Sequence, residues 1–243
     1  MSDDSTKGAD HGPIMAPLRQ EHEATGERLP SATQAGGATA SDMQTPAFFD
    51  AAPRIRVHDS LAETLGAVQD GIIEYTYLDA VKLAGHSCPT VAGAYLMTRA
   101  ALARLYLDET PRRGELRVEL REQLDAGVAG VVASVAGLIT GAAGAGGFKG
   151  LAGRHARCGL LLFGVPMRGD MRFTRLDTGH SVEVSHHPQA VPRPTALKEQ
   201  LQAALAPRAD SATRREFAQA WQGWVCATIM EHADDPALIT LED

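Results

Sequence analysis

The sequence predicts an α+β fold, in which helices pack against a mostly antiparallel sheet within a single domain. Apolar residues recur at helical spacing early in the chain and again near its end. Between these regions lie short runs of alternating, β-branched or aromatic residues, which are typical of strands. The two kinds of segment do not alternate regularly, which favours α+β over a doubly wound parallel sheet.

The domain is expected to cover residues 48–243, after an N-terminal tail of residues 1–47. The tail contains no aromatic residue, valine or cysteine, and it is rich in glycine, alanine, serine, threonine, proline and aspartate. Such a segment cannot bury enough apolar surface to offset the entropy lost on ordering, so we predict that it is disordered. Phe48 and Phe49 are the first aromatic residues and mark the start of the core.

The first half of the domain carries clear signals for its elements. Ser60 and Glu63 form a capping-box pattern at the start of a helix that ends at Gly71. Residues 72–77 are β-prone, and residues 78–84 are expected to form a helical turn.

Three elements are predicted in the middle of the chain. A helix over residues 89–106 begins with a proline, which is favoured at the first helical position. Residues 115–121 alternate charged and apolar side chains, as a half-exposed strand does. Apolar residues recur at helical spacing over 128–139, and a glycine-rich loop follows at 141–150.

The last part of the chain is predicted to contain a β-meander followed by two helices. The β-like runs cover residues 158–163, 171–176 and 181–184, with turn residues between them. The helices are expected at about 195–206 and 211–232.

Composition and charge limit the partners and the cellular location that we expect for this protein. The net charge of −7 supplies no field for phosphate groups, and no run of basic residues occurs, so we expect no nucleic-acid partner. Three widely spaced cysteines and the absence of a secretory signal favour reduced thiols in the cytoplasm. Residues 126–148 are uncharged but rich in glycine and alanine, so we expect a buried helix and loop there, not a membrane span.

The residues best suited to metal binding or catalysis lie in segment 85–89, Gly-His-Ser-Cys-Pro. Pro89 at the first helical position places Cys88 at the N-cap, where the helix dipole favours a thiolate. His86 lies two residues earlier, so the pair could bind a metal ion, with zinc the default, or act in nucleophilic catalysis. A buried cysteine and a histidine satisfied by hydrogen bonds are an equally good interpretation of these residues alone.

The same segment, followed by Thr-Val-Ala-Gly-Ala-Tyr, resembles the signature of the FmdE-like family, which is named for the E component of formylmethanofuran dehydrogenase. Residues 138–141 and 147–150 look like that family's second motif. The resemblance covers about residues 60–185 and implies an α+β core with a metal or substrate cleft between the two motifs. It implies a metal-binding enzyme or accessory protein of redox or one-carbon-type chemistry, with His86 and Cys88 as ligands.

The chain departs from the family pattern at three places. Ala84 and Ala142 stand where many members have a histidine and a cysteine, and the C-terminal part contains only Cys226, so the zinc-finger module of some members is absent. His86 and Cys88 would therefore need further ligands from elsewhere in the chain or from water.

Other residues supply secondary candidates. Lys149 in the glycine-rich loop, with Thr140 before it, is predicted to contact a small anionic molecule or cofactor. His155 and Cys158 are expected to be structural. The pair His186-His187 is expected to lie in a solvated loop after the meander.

Two functional hypotheses and a structural one follow. The first is a metal-dependent enzyme or accessory protein that uses His86 and Cys88. The second is a metal-free small-ligand binding or sensor module with a reactive Cys88. The third is a purely structural partner protein within a complex. The apolar faces and the C-terminal tryptophan pair make a homodimer plausible.

Overall fold

The computed structural model describes residues 43–243, which form an α+β domain, as predicted. The predicted disordered tail lies outside the described residues except for residues 43–47, which lead into the first helix. No helix in the described part of the chain is both long and apolar enough to cross a membrane.

The elements follow one another in mixed order. The helices are α1 Phe48–Ala51, α2 Ser60–Thr64, α3 Tyr77–Ala84, α4 Pro89–Tyr106, α5 Ala129–Thr140, α6 Leu197–Leu205 and α7 Ser211–Cys226, which a π-turn extends over Ala227–Glu231. The strands are β1 Ile55–His58, β2 Ile72–Tyr75, β3 Leu116–Leu120, β4 Leu161–Leu162, β5 Met171–Arg175, β6 Ser181–His186 and β7 Ile239–Glu242.

A five-stranded sheet with the order β4-β3-β5-β6-β7 forms the centre of the described domain. Its pairings are antiparallel except for β3 with β4, and the register places Val118 beside Phe173 and Phe173 beside Val182. These three side chains are almost fully buried on one face of the sheet. A separate antiparallel pair, β1 with β2, completes the strands seen in residues 43–243.

Helix α4 is the core helix of the domain. Most of its residues are buried, because it packs against the sheet at β6 and β7 and against α3 and α5 on other sides. A helix that is apolar nearly all round is expected in such a position. The prediction of a helix over residues 89–106 is confirmed at both ends.

The predicted meander is wrong in its first strand. Only Leu161 and Leu162 of the run 158–163 form a strand, and they pair in parallel with β3 instead of antiparallel with β5. The physical reason is that β3, which precedes α5 in the chain, lies between β4 and β5 in the sheet. The hairpin of β5 and β6 is confirmed, whereas the short strands β1 and β7 were not predicted.

Candidate functional site

The segment 85–89 is a sharp connection between α3 and α4. Gly85 ends α3 in the left-handed conformation, with φ of 74°, and its N–H donates to the carbonyl of Val81. Cys88 is the N-cap of α4, as predicted, and its Sγ accepts a hydrogen bond from the N–H of Val91 at 3.5 Å. The sulfur therefore satisfies one of the free N–H groups at the start of the helix.

His86 and Cys88 have opposite environments. Cys88 is 8% exposed and belongs to the core, whereas the side chain of His86 is exposed to solvent. The Nδ1–H of His86 donates to the carbonyl of Ala84 at 2.9 Å, since a carbonyl can only accept. This bond leaves the lone pair of Nε2 directed away from the backbone, as in histidines that bind metals.

Ser87, between them, ties this segment to the C-terminal helix. Its hydroxyl hydrogen-bonds to the hydroxyl of Tyr77 at 3.0 Å. Its carbonyl accepts from the indole N–H of Trp221 at 2.9 Å and from the amide of Gln222 at 3.2 Å. The apolar spacing of the last helix predicts a docking face that includes Trp221, but nothing in the sequence indicates that its partner is the backbone of Ser87.

A zinc site at this segment stays a prediction. Among the described residues, no group of three or more histidine, cysteine, aspartate or glutamate side chains is arranged to hold a metal ion. The further ligands that His86 and Cys88 require are therefore not found as such a group among residues 43–243.

A cleft of about 380 Å³ lies next to the start of α4. One wall is formed by Pro89 and Thr90, directly after the predicted Gly-His-Ser-Cys segment. The opposite walls come from residues 126–129 at the start of α5 and from the ends of β5 and β6. Its volume is at the lower end of the range of about 300–1,000 Å³ that small-molecule pockets occupy.

His186 is a polar side chain at the wall of this cleft. Its imidazole lies flat on Gly93 of α4, and its Nε2 is buried without a hydrogen-bond partner in the described part of the chain. Burial, which outweighs the opposing charge of Asp170, lowers the pKa of His186 to about 4, so the ring is neutral at neutral pH. The prediction that His186 lies in a solvated loop is therefore wrong, because β6 extends to it and presses it against α4.

Asp170 holds the backbone beside His186. One carboxylate oxygen of Asp170 accepts from the N–H of His186 at 2.9 Å, and the other accepts from Nη2 of Arg121 at 2.7 Å. The guanidinium of Arg121 is also 3.7 Å from the carboxylate of Glu122, which lines the cleft as Asp170 does. Asp170 is not among the predicted site residues because it is the last residue of a predicted turn, where an aspartate is ordinary.

Thr140 is the last residue of α5, at the end away from the cleft, and Lys149 follows in the glycine-rich loop. The helix has 12 residues, so its ends are roughly 17 Å apart. The hydroxyl of Thr140 is fully buried, donates to the carbonyl of Ala136 and accepts from the N–H of Ala142. Lys149 is exposed. The cleft thus adjoins the first sequence motif but not the second, and substrate binding by Lys149 and Thr140 stays a prediction.

The glycine-rich loop is held by a buried ionic cluster that the sequence did not reveal. Asp59 accepts from Arg113 and from Arg157, each at 2.7 Å, while the same carboxylate caps α2. Asp59 and Arg157 are 2% and 6% exposed. Gly114 and Gly141 leave the space that the guanidinium of Arg157 occupies. This cluster joins three segments that are distant in the sequence.

His155 and Cys158 have different bonding partners. Nδ1 of His155 lies 3.1 Å from Oγ of Ser60, and Cys158 is partly buried with its N–H bonded to the carbonyl of Phe148.

Comparisons with protein-family models and with curated protein sequences find no match to this chain. The resemblance to the FmdE-like family rests on the two motifs alone and stays a prediction.

Proposed function

We propose that the protein binds a small, mostly apolar molecule in the cleft beside the start of α4. The observation that carries the proposal is the position of His186, a neutral imidazole at the wall of a cleft that is otherwise mainly apolar. Ligand sites commonly combine apolar walls with a few polar groups of this kind. The proposal corresponds to the small-ligand hypothesis derived from the sequence.

Cys88 contributes to this site as a positioning residue. Its Sγ caps α4, so it fixes the first turn of the helix, which carries Pro89 and Thr90 into the wall of the cleft. The bonds from Trp221 and Gln222 to the carbonyl of Ser87 hold the same turn from the other side. Segment 85–89 would then shape the wall of the cleft, and His86 would not contact the ligand.

Toluene is a suitable probe, because it matches the apolar walls and carries no polar group. In methyl-resolved NMR spectra of the full chain, toluene should shift the signals of Met97, Val132 and Met171, which line the cleft. Val132→Trp fills the cleft and should abolish these shifts. Ser134→Trp, two residues further along α5 and exposed, is the matched control and should leave them unchanged. Shifts that are absent from the wild type, or that survive Val132→Trp, would contradict the proposal.

Metal binding at His86 is the second candidate, and the bond from its Nδ1–H to Ala84 favours it. That bond fixes the tautomer whose Nε2 can ligate a soft or borderline ion, with zinc the first choice. The thiolate of Cys88 could supply the second ligand and still accept the bond from the N–H of Val91, because a thiolate sulfur has three lone pairs.

Zinc content separates the two candidates. Elemental analysis of freshly purified protein would give near-stoichiometric zinc for a metal protein, and His86→Ala and Cys88→Ala would each reduce it sharply. His180→Ala removes another exposed histidine on a turn and is the control. Protein that contains no metal, and takes up none on zinc titration, would remove this candidate and leave the cleft proposal untouched.

A further inference from the structure

We infer that the ligand of the cleft is uncharged and carries one polar group that both donates and accepts a hydrogen bond, such as a hydroxyl or a primary amide. This inference rests on the proposed function and specifies the class of molecule that the same cleft takes. It follows from the charges around the cleft and from the tautomer of His186.

Most of the cleft would meet the apolar part of the ligand. Met97 of α4, Val132 of α5 and Met171 of β5 present aliphatic or thioether surface from three different elements. Methionine side chains adapt their shape to what they contact, so the walls suit a compact ring or a branched chain. Polar groups are confined to a small part of the lining, which includes Asp170 and His186.

The charges beside the cleft disfavour an anion. Among the described residues that line it, Glu122 and Asp170 are acidic and none is lysine or arginine. Arg121 lies between the two carboxylates, so the formal charge of the three groups together is −1. An anionic ligand would meet this charge in a partly desolvated place, where repulsion is stronger than in water. The small anionic molecule predicted from Lys149 therefore does not suit this cleft.

Asp170 and His186, near the turn before β5, can make complementary hydrogen bonds. Asp170 can only accept hydrogen bonds when ionised, and each of its oxygens, although already bonded once, has a further lone pair. His186 has a buried Nε2 without a partner. A buried N–H without an acceptor is rarer than a buried acceptor without a donor, so the proton is assigned to Nδ1. The imidazole then has its donor at Nδ1, and the carboxylate of Asp170 is an acceptor, whereas Nε2 keeps no partner in the described part of the chain.

A hydroxyl or a primary amide that reaches both Nδ1 of His186 and the carboxylate of Asp170 would bond to both groups at once. Asp170 and His186 are held together by the bond from the backbone N–H of His186 to the carboxylate, at 2.9 Å. A carboxylate on the ligand would satisfy only the imidazole, and an ammonium group would satisfy only Asp170 while facing the N–H of His186.

A series of benzene derivatives tests this inference on the full chain. Benzyl alcohol and benzamide should bind about threefold to tenfold more tightly than toluene, which corresponds to one net hydrogen bond. Benzoate and benzylammonium should bind no more tightly than toluene. Dissociation constants come from the NMR titration that locates toluene in the cleft. If either charged derivative binds most tightly, or if all five bind equally, the inference is overturned although the proposed function stands.

His186→Phe provides the second variant. Phenylalanine keeps a flat ring for the contact with Gly93 but has no N–H, so the advantage of benzyl alcohol over toluene should disappear while toluene still binds. The ¹⁵N shifts of His186 in the wild type report the tautomer directly. A proton on Nε2 instead of Nδ1, or an advantage that persists in the variant, would overturn the assignment of the donor. Absence of toluene binding to the wild type would instead count against the proposed function.

Discussion

The imidazole of His186 lies on the backbone of α4 at Gly93, so closely that a Cβ at this position would come within 2.7 Å of Nε2 and nearer still to Cε1 and Nδ1. Real Cβ atoms do not approach other atoms this closely. Gly93 is therefore the reason that a histidine from β6 can lie flat against the core helix and line the cleft.

Gly93→Ala should destabilise the protein by about 1–2 kcal/mol, because the added methyl group forces the imidazole or the helix to move. It should also weaken binding of benzyl alcohol through displacement of His186. Alanine is the better helix former by roughly 0.5–1 kcal/mol, so destabilisation would show that steric overlap outweighs helix propensity. Urea denaturation and the benzyl alcohol titration measure the two effects.

Gly223→Ala is the matched control for that substitution. Gly223 lies inside α7, and nothing approaches within 4 Å of the position that its Cβ would take. This variant should be stabilised by about 0.5–1 kcal/mol. If both alanine variants become more stable, the close contact between Gly93 and His186 has no energetic consequence.

The sequence predicted the local elements better than their arrangement. The N-cap at Cys88 and the limits of α4 follow from proline chemistry and apolar spacing, which act within a few residues. The position of β3 between β4 and β5 depends on pairings between distant segments. No local pattern encodes such pairings, so the sequence predicts a meander that simply follows the order of the strands in the chain.

The site was predicted only in part, for the same reason. The segment before Pro89 was identified because its residue types are unusual together, and it does adjoin the cleft. The sequence places His186 in a solvated loop because its burial depends on Gly93, 93 positions earlier in the chain. A glycine inside a strongly apolar helix was the available signal, since such a residue often marks a close approach.

His186 should make the protein less stable in mild acid. Burial lowers the pKa of His186 from 6.5 to about 4, so between these pH values the unfolded chain binds a proton that the folded chain does not. Stability therefore falls as the pH decreases from about 6.5 towards 4, by up to ~3 kcal/mol. His186→Phe should lose this part of the pH dependence in urea denaturation at pH 4.5 and 7.

His187→Phe is the control, because it removes the neighbouring histidine and leaves His186 in place. If wild type and His186→Phe lose equal stability between pH 7 and 4.5, the imidazole is not buried in neutral form as described.

Trp221 should protect Cys88 by holding the carbonyl of Ser87. Trp221→Phe removes the indole N–H but keeps an aromatic ring, so the turn before α4 should open more readily. Loss of about 1 kcal/mol of local stability corresponds to roughly fivefold faster alkylation of Cys88 by iodoacetamide. Peptide mass spectrometry distinguishes Cys88 from Cys158 and Cys226.

Trp224→Phe is the matched control, because Trp224 donates an equivalent bond to the carbonyl of Val191, away from the turn. It should lower global stability similarly and leave the alkylation rate of Cys88 nearly unchanged. Equal acceleration in the two variants would mean that only global unfolding exposes Cys88.

The cluster of Asp59, Arg113 and Arg157 should be the most sensitive ionic site in the described domain. Asp59→Asn keeps the shape of the side chain but removes the charge that faces two guanidinium groups. Arg157 would then be a buried cation without a counter-charge, and breaking a buried pair in this way costs about 3–5 kcal/mol. Glu63→Gln, which affects only the exposed pair of Glu63 with His58, should change stability by no more than ~0.5 kcal/mol.

The pH dependence of Asp59→Asn gives an independent check. Burial alone would raise the pKa of Asp59, but hydrogen bonds from Arg113 and Ala62 and the charges of both arginines hold the pKa below its usual value. The ionised carboxylate therefore stabilises the fold above pH 3.8, and this contribution is lost as the pH falls through the lower pKa of the folded state. Asp59→Asn should lack that acid-side loss. A variant as stable as the wild type at pH 7 would show that the cluster only fills space between α2 and the glycine-rich loop.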